Sequence, residues 1–302
     1  MNVSAPNGED PAEDGPAGFD SNAHREASLQ GWEAAAAGWR RRQEGIRKLG
    51  APVSEWLIGA ISPRPGQRVL ELAAGLGETG LLAAERVAPT GGVIVSDQAE
   101  AMLEGARARA SELKIENVEF RTISAEWIDM PLASVDGVLC RWGYMLLADP
   151  AAALGETRRV LRSGGRLALA VWDAVQYNPW ALVPALELIE RGLAPAPGAG
   201  SDWQPGPFAL GDRDRVRELL NGAGFTEIEV QALDLQQRYD SFEDFWETML
   251  DISNSLHDAV LSRPEAEIAE IRAGLSSRMR PFTAADGTLQ IPARTLVARA
   301  SA

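Results

Sequence analysis

Between Val69 and Gly80 an apolar strand runs directly into a turn that carries three glycines: Val69-Leu70-Glu71-Leu72-Ala73-Ala74-Gly75-Leu76-Gly77-Glu78-Thr79-Gly80. Glycine tolerates positive φ and has no β-carbon, so the backbone of such a turn can press against a ligand. A helix starting near Thr79 adds unpaired N–H groups and the positive end of its dipole. By spacing the turn is Gly-x-Gly-x-x-Gly, a pattern shared with dinucleotide-binding folds. Glu71 changes its meaning. An acid at the strand end, four residues before the first glycine, repels a pyrophosphate and attracts an ammonium, directly or through water. The turn suits a cationic nucleoside without phosphates better than a nicotinamide dinucleotide.

The chain downstream repeats the strand-to-loop arrangement. Gly91 to Asp97 is a second short apolar strand, and its terminal acid lies 20 residues after Gly77, where a carboxylate can accept from ribose hydroxyls. Val118–Thr122 reads as a third strand, followed by Ser124-Ala125-Glu126-Trp127, where backbone and an acid can meet an adenine edge. Val135–Cys140 reads as a fourth, opening into Arg141-Trp142-Gly143-Tyr144, and a fifth runs from Arg166 to Trp172 after a helix and a Ser163-Gly164-Gly165 turn. Strands alternating with helices at this spacing indicate an α/β fold with a parallel sheet and ligands at the carboxyl ends of its strands.

With these residues in place, the chain resembles the class I S-adenosylmethionine-dependent methyltransferases, closest to the ubiquinone/menaquinone-biosynthesis C-methyltransferase-like group. Carrying the resemblance are Glu71-x-Ala73-x-Gly75-x-Gly77, Asp97, Ala125-Glu126, Cys140-Arg141-Trp142 and Leu161-Arg162-Ser163-Gly164-Gly165, across residues 30–173. Two departures stand out: the family usually carries glycine where Ala73 sits and commonly proline where Ser163 sits. The resemblance implies a seven-stranded Rossmann-like methyltransferase sheet with a helical cap, and S-adenosylmethionine as cofactor. It places Glu71, Ala73, Gly75 and Gly77 at the methionyl end, Asp97 and Gln98 at the ribose, and Ala125, Glu126 and Trp127 at the adenine. Arg141 is expected beside the cofactor. Trp142, Tyr144, Trp180 and Trp246 are expected to face the acceptor.

Residues 1–20 hold five acids and no base and read as a disordered acidic tail, with too little apolar surface to offset their ordering entropy. Residues 21–60 read as N-terminal cap helices anchored by Trp32, Trp39, Ile46, Leu49 and Trp56, and residues 61–173 as the cofactor-binding core. Residues 174–302 complete the sheet around two cap insertions, 174–210 (proline-rich, with Trp180 and Trp203) and 237–286. In the second insertion Phe242, Phe245, Trp246, Met249 and Leu250 fall on one helical face. A half-buried sixth strand is expected at Ile228 and Val230, and an antiparallel seventh from Arg294 to Ala300.

Charge and composition bound the partners. A formal net charge of −14 argues against a nucleic-acid backbone. The single cysteine, Cys140, cannot form an internal disulfide, and no signal-like or 18-residue apolar run is present; together these point to a cytoplasmic location without a membrane span. Two separated histidines and one cysteine make no zinc site of the usual type, so no metal is expected. The partner is expected to be a small-molecule acceptor. The oligomeric state, a homodimer included, stays open.

Several residues carry a plain structural reading beside the functional one. Asp97 also suits capping of the helix that follows it, and Glu126 suits a solvated loop. Tyr144 can orient a nucleophile or make a structural hydrogen bond, and Trp142 can contact substrate or fill core. Arg141 is harder to bury without purpose, because an uncompensated charge is costly there. The only side chains with a near-neutral base are His24 and His257. They and Tyr144 are the candidate catalytic groups. The expected reaction is transfer of a methyl group to a small, largely apolar metabolite, quinone-, polyketide- or terpenoid-like. A non-catalytic S-adenosylmethionine-binding protein is the alternative. A nicotinamide-dependent oxidoreductase is a further one, but Tyr144, Tyr177 and Tyr239 are followed four residues on by Ala148, Ala181 and Glu243, which breaks the Tyr-x-x-x-Lys pattern of the short-chain type.

Overall fold

The computed structural model describes residues 19–194 and 204–302. Most of the expected acidic tail, and Trp203, lie outside them. Phe19 and Asp20 are ordered: the Asp20 carboxylate accepts from the N–H groups of Asn22 and Ala23, at 3.0 and 2.9 Å, and so starts the first helix.

Seven strands form one sheet in the order β3-β2-β1-β4-β5-β7-β6. They are β1 (Arg68–Glu71), β2 (Gly92–Asp97), β3 (Val118–Thr122), β4 (Val135–Arg141), β5 (Leu161–Trp172), β6 (Thr226–Tyr239) and β7 (Leu289–Ser301). The first five are parallel, and β7 runs antiparallel between β5 and β6. The central strands are apolar throughout because helices cover both faces: Leu70, Ile94, Leu139 and Leu167 are almost wholly buried. Strand order reverses between β1 and β4, and loops leaving adjacent strands in opposite directions open a crevice at their carboxyl ends.

Helices α3 (Glu78–Val87), α4 (Glu100–Leu113) and α5 (Pro150–Val160) follow β1, β2 and β4. The N-terminal segment divides at Arg42 into α1 (Ser21–Arg41) and α2 (Gln43–Ile61). Helix α1 crosses the carboxyl edge of the sheet, and Glu33 on it accepts from the N–H groups of Glu100 and Ala101, at 2.7 and 3.2 Å, covering the open start of α4. Beyond β5 come α6 (Pro179–Glu190) and α7 (Arg213–Gly222), and then, between β6 and β7, α8 (Phe242–Ile252), α9 (Asn254–Leu261) and α10 (Glu265–Met279). The apolar face of α8 joins α6, α10 and β7 in a second core of Phe245, Trp246, Met249, Ile271, Leu275 and Leu289. This core is separate from the one under the sheet. Ser241 caps α8 by accepting from Asp244 N at 3.1 Å.

Candidate active site

The loop after β1 is held from below. Glu71 is buried, and its carboxyl group accepts from Gly80 N at 2.9 Å. Ser96 Oγ donates to Glu71 O at 2.6 Å, and Ala74 N donates to Ser96 O at 2.9 Å, so β1, the loop and β2 are tied in sequence. Above these ties the loop takes left-handed backbone at Ala73 (φ 49°), Gly75 (φ 55°) and Gly77 (φ 76°). A residue with a β-carbon in that region costs about 1–2 kcal/mol, which gives Ala73, where the family usually has glycine, a physical cost. Gly143 sits against it: a β-carbon there would fall 2.6 Å from that of Ala73.

Asp97 closes the turn from the neighbouring strand. One carboxylate oxygen accepts from Gly75 N at 2.8 Å and the other from Ala99 N at 2.9 Å. Burial raises its pKa above the usual carboxylate range, while the N–H groups of Ala99, Gly75 and Gln98 pull it back. Each oxygen keeps a further lone pair for a ligand hydroxyl.

A pocket lies above this loop. Its floor is Ala73, Ala74, Gly75, Asp97, Gln98, Ile123, Ala125, Arg141, Trp142 and Gly143, and its walls include Trp32 and Trp39 from α1, Ile46 from α2, and Leu146 and Leu147. The Trp32 and Trp39 rings meet edge to face at 5.4 Å. Trp142 holds left-handed backbone (φ 62°), stacks on Trp172 at 4.3 Å, and donates from its ring to Thr295 Oγ1 at 3.1 Å. A flat apolar slot with a hydroxyl-binding acid on one side and a guanidinium on the other accommodates a nucleoside that carries a polar tail. The glycine turn, with no side chain at Gly75 to fill the slot, fits the same group.

Residues 63–191 match the family described as a methyltransferase domain. Nocamycin O-methyltransferase of Saccharothrix syringae is 32% identical over 199 residues, covering 64% of this chain and 71% of that protein. The demethylmenaquinone methyltransferase of Symbiobacterium thermophilum is 30% identical over 196 residues, 56% of this chain and 72% of that protein. The chain belongs to the class I S-adenosylmethionine-dependent methyltransferases. Its fold is also that of the YcgJ protein from Bacillus subtilis, with a TM-score of 0.54 at 19% identity over 82% of this chain and 97% of that one. S-adenosylmethionine is its cofactor.

Of the residues that the sequence singled out, the methyltransferase brings Ala73, Gly75, Asp97, Gln98, Ala125, Arg141 and Trp142 to the pocket. Others lie elsewhere and need correction. Glu71 does not face the ligand space, because its carboxyl group turns under the loop to Gly80. Burial pushes that carboxyl up to about 8, against the pull of the Arg141 guanidinium and Gly80 N–H. Gly77 is required by packing: a β-carbon there would press on Ala106 and Val95, at 3.0 and 3.3 Å. Glu126 is not among the residues lining the pocket. It pairs with Arg25 at 2.6 Å and accepts from Asp149 N at 3.2 Å, fastening the start of α1 to the loop after β3. Trp127 points to solvent, 77% exposed.

The expected acceptor-side and catalytic groups shift as well. Tyr144 is fully buried and its hydroxyl shares a 2.6 Å hydrogen bond with Thr157 Oγ1; burial holds its pKa well above the usual phenol range. Trp180 packs on Trp172 and Phe208 and donates to Asn178 Oδ1 at 3.1 Å, outside the pocket. Trp246 is enclosed in the second core. His24 bonds through Nε2 to Leu146 O at 2.9 Å, at the rim, and His257 bonds through Nδ1 to Leu250 O at 3.1 Å on an exposed stretch. Neither lines the pocket. Cys140 is buried, and its thiol is pushed up to about 12. Among the described residues, no group of three or more His, Cys, Asp or Glu could hold a metal ion, and no helix is long and apolar enough to cross a membrane.

Sequence reasoning took Trp32, Trp39 and Ile46 only as anchors of the N-terminal helices, and passed over Ser28, Leu146 and Leu147. Ser28 accepts from the Gln98 side chain at 3.0 Å. The available signal was the aromatic spacing of α1, where Trp32 and Trp39 stand seven residues apart and so share one face.

Proposed function

We propose that this methyltransferase acts on a small, largely apolar, flat metabolite, and that it works chiefly by positioning. The observation that carries the reading is the pocket wall: Trp32, Trp39, Ile46, Trp142, Leu146 and Leu147 supply aromatic and aliphatic surface. Asp97, the one acid among the lining residues, already spends an acceptor position of each oxygen on backbone N–H groups. The two relatives are named for nocamycin and for demethylmenaquinone; those names support a small-molecule acceptor.

In this reading Gly75 and Ala73 lie along the cofactor, Asp97 accepts from its ribose hydroxyls, and Ala125 with Ile123 packs against the adenine. S-adenosylmethionine supplies an electrophilic methyl group on sulfur. Trp39 and Trp142 exclude water and hold the acceptor in line, a contribution that can supply much of the rate when no proton has to be moved by the protein. Among the described residues no lining side chain offers a free base, so the acceptor is one whose nucleophilic atom is already ionised or electron-rich.

The test is labelled-methyl transfer from S-adenosylmethionine to a panel of phenols, acidic enols, carboxylic acids and amines of matched size, with product position found by mass spectrometry. Transfer to flat apolar acceptors of low pKa is expected. Transfer confined to strongly basic, hydrophilic amines would overturn the reading. Cofactor binding with no transfer to any class would favour a silent binding protein.

A further inference from the structure

Arg141 stands at the carboxyl end of β4, beside the reversal point of the sheet, and its side chain turns inward. Its Nη1 is buried and has no hydrogen-bond partner. Glu71 and Glu78 attract the guanidinium only through space, and burial lowers its pKa from the usual arginine value against that attraction. Its Cζ lies 4.9 Å from the centroid of the Trp142 ring. Room for the group is made by α2: a β-carbon at Gly50 would overlap Nη1. The fold therefore encloses a cation, clears a notch for it, and leaves one strong donor unpaired. Unpaired buried donors are rare, and each calls for an explanation.

Among the described residues lining the pocket, Arg141 is also the one cation, as Asp97 is the one anion. Asp97 belongs to the side of the pocket formed by β2 and the start of α4, and Arg141 to the side formed by β4 and α2. A ligand that satisfies both offers hydroxyls at one end and an anionic oxygen at the other. A planar guanidinium recognises a carboxylate in this way.

We propose that Arg141 is the carboxylate-binding residue of this pocket, donating to an anionic oxygen of the bound ligand from the edge of its guanidinium that faces the pocket, while Nη1 sits in the notch at Gly50. The inference rests on the reading that the pocket holds S-adenosylmethionine. The carboxylate comes either from the methionyl tail of the cofactor or from the acceptor. The competing role is purely structural, with Arg141 acting only as a distant countercharge to Glu78 and packing on Trp142.

Calorimetric titration separates these without any turnover. S-adenosylhomocysteine carries the carboxylate, whereas 5′-methylthioadenosine keeps the nucleoside and the sulfur but lacks the amino-acid tail. Arg141→Met is expected to weaken S-adenosylhomocysteine about 10- to 100-fold, the scale of a charge-assisted hydrogen bond, and to leave 5′-methylthioadenosine within about twofold. Arg141→Lys should restore part of the loss. Gly50→Ala, which crowds the guanidinium without removing it, should reproduce the selective loss and serves as the second variant if Arg141→Met does not fold.

If the carboxylate is the acceptor's, both nucleosides bind Arg141→Met as they bind the wild type. The protein saturated with S-adenosylhomocysteine then prefers 2-naphthoate over 2-naphthamide in the wild type and loses that preference in the variant. Equal weakening of both nucleosides overturns the proposal in favour of the structural role. The absence of discrimination in both ligand pairs overturns it too. A wild-type protein that binds neither nucleoside would instead sink the cofactor-site reading on which the proposal rests.

Discussion

The floor of the pocket consists of short stretches that each follow a strand of one sheet: residues 73–75, 97–98, 123–125 and 141–143. The roof consists of α1 and α2, and what fastens it lies far along the chain. Arg42, between the two helices, pairs with Asp251, Asp244 and Glu247 of α8, and its partner Asp251 is 209 residues away. Arg41 joins Asp251 at 2.5 Å, and Trp39 donates to Ile252 O at 3.4 Å. The floor is held by backbone ladders and buried acceptors, such as Asp97 on Gly75 N and Glu71 on Gly80 N. Helix α2 is anchored in the main core through Val53, Leu57, Ile58 and Ile61, whereas the ties from Arg41 and Arg42 to α8 are partly exposed ion pairs, which individually contribute about 0–1 kcal/mol. We expect cofactor affinity to follow the floor and the rate of ligand release to follow the α1–α8 latch.

The sharpest break of this comparison is Gly75→Val. A branched side chain at φ 55° is strained, which should cost about 1–2 kcal/mol in stability, and it fills the ligand space, so S-adenosylhomocysteine affinity should drop by about 100-fold or more through lost contact. Unchanged affinity by calorimetry would mean that the cofactor does not lie on this loop.

Asp97→Ala comes next. The carboxylate both faces the pocket and pins Gly75 and Ala99. Affinity should fall by about 1–3 kcal/mol, with a lower melting temperature alongside. A lowered melting temperature with normal affinity would make Asp97 a loop pin and nothing more.

Glu71→Gln tests the floor from below. Burial holds the Glu71 carboxyl at about 8, so it stays protonated in the fold at neutral pH, whereas in the unfolded chain it ionises at about 4.3. Stability linked to this group is therefore full at pH values below the unfolded pKa. It declines as pH rises towards about 8 and is flat beyond. Glutamine copies the neutral acid, so the variant should lose this slope and already be more stable than wild type at pH 6 by about 2 kcal/mol. Parallel pH profiles in chemical denaturation would show that Glu71 is ionised in the fold.

The smallest effect is expected at the roof. Asp251→Asn removes the carboxylate shared by Arg41 and Arg42 and should cost about 1 kcal/mol or less in global stability. Stopped-flow release of S-adenosylhomocysteine should nevertheless quicken about threefold, and equilibrium affinity should change less. Burial pushes the Asp251 carboxyl up, but hydrogen bonds from Arg41 and Arg42 outweigh it and hold it below the usual range. Its stabilisation is thus present above about pH 4 and fades as pH falls through the lowered value. Faster release at neutral pH with no change in floor stability would confirm the division of labour; slower release would contradict it.

Local pattern was enough for the strand–turn–helix at 69–80, the later βα units, the amphipathic stretch that became α8, and the antiparallel last strand. Apolar runs and helical spacing depend on neighbours within a few residues, and the sheet that buries them imposes the same demand everywhere. The last strand starts five residues earlier than expected, at Leu289, because its alternation continues past Arg294 where β6 is long enough to pair with it.

Side-chain direction at the site was not legible, because each direction is set by a partner distant in sequence. Tyr144 turns to Thr157, Glu126 to Arg25 across 101 residues, and Trp180 to Trp172 and Phe208. The roof lay outside local reading for the same reason, since nothing near Arg42 in sequence announces Asp251. By itself the sequence determined which segments are strands, where the glycine turn falls, and that an acid ends β2, because those are properties of contiguous residues. Tertiary structure alone decided that Glu71 supports the loop from below, that α1 roofs the pocket with two tryptophans, and that Arg141 is half-buried with its Nη1 enclosed and unpaired. Packing of segments far apart in the chain sets which polar group is satisfied by the protein and which is left for a ligand.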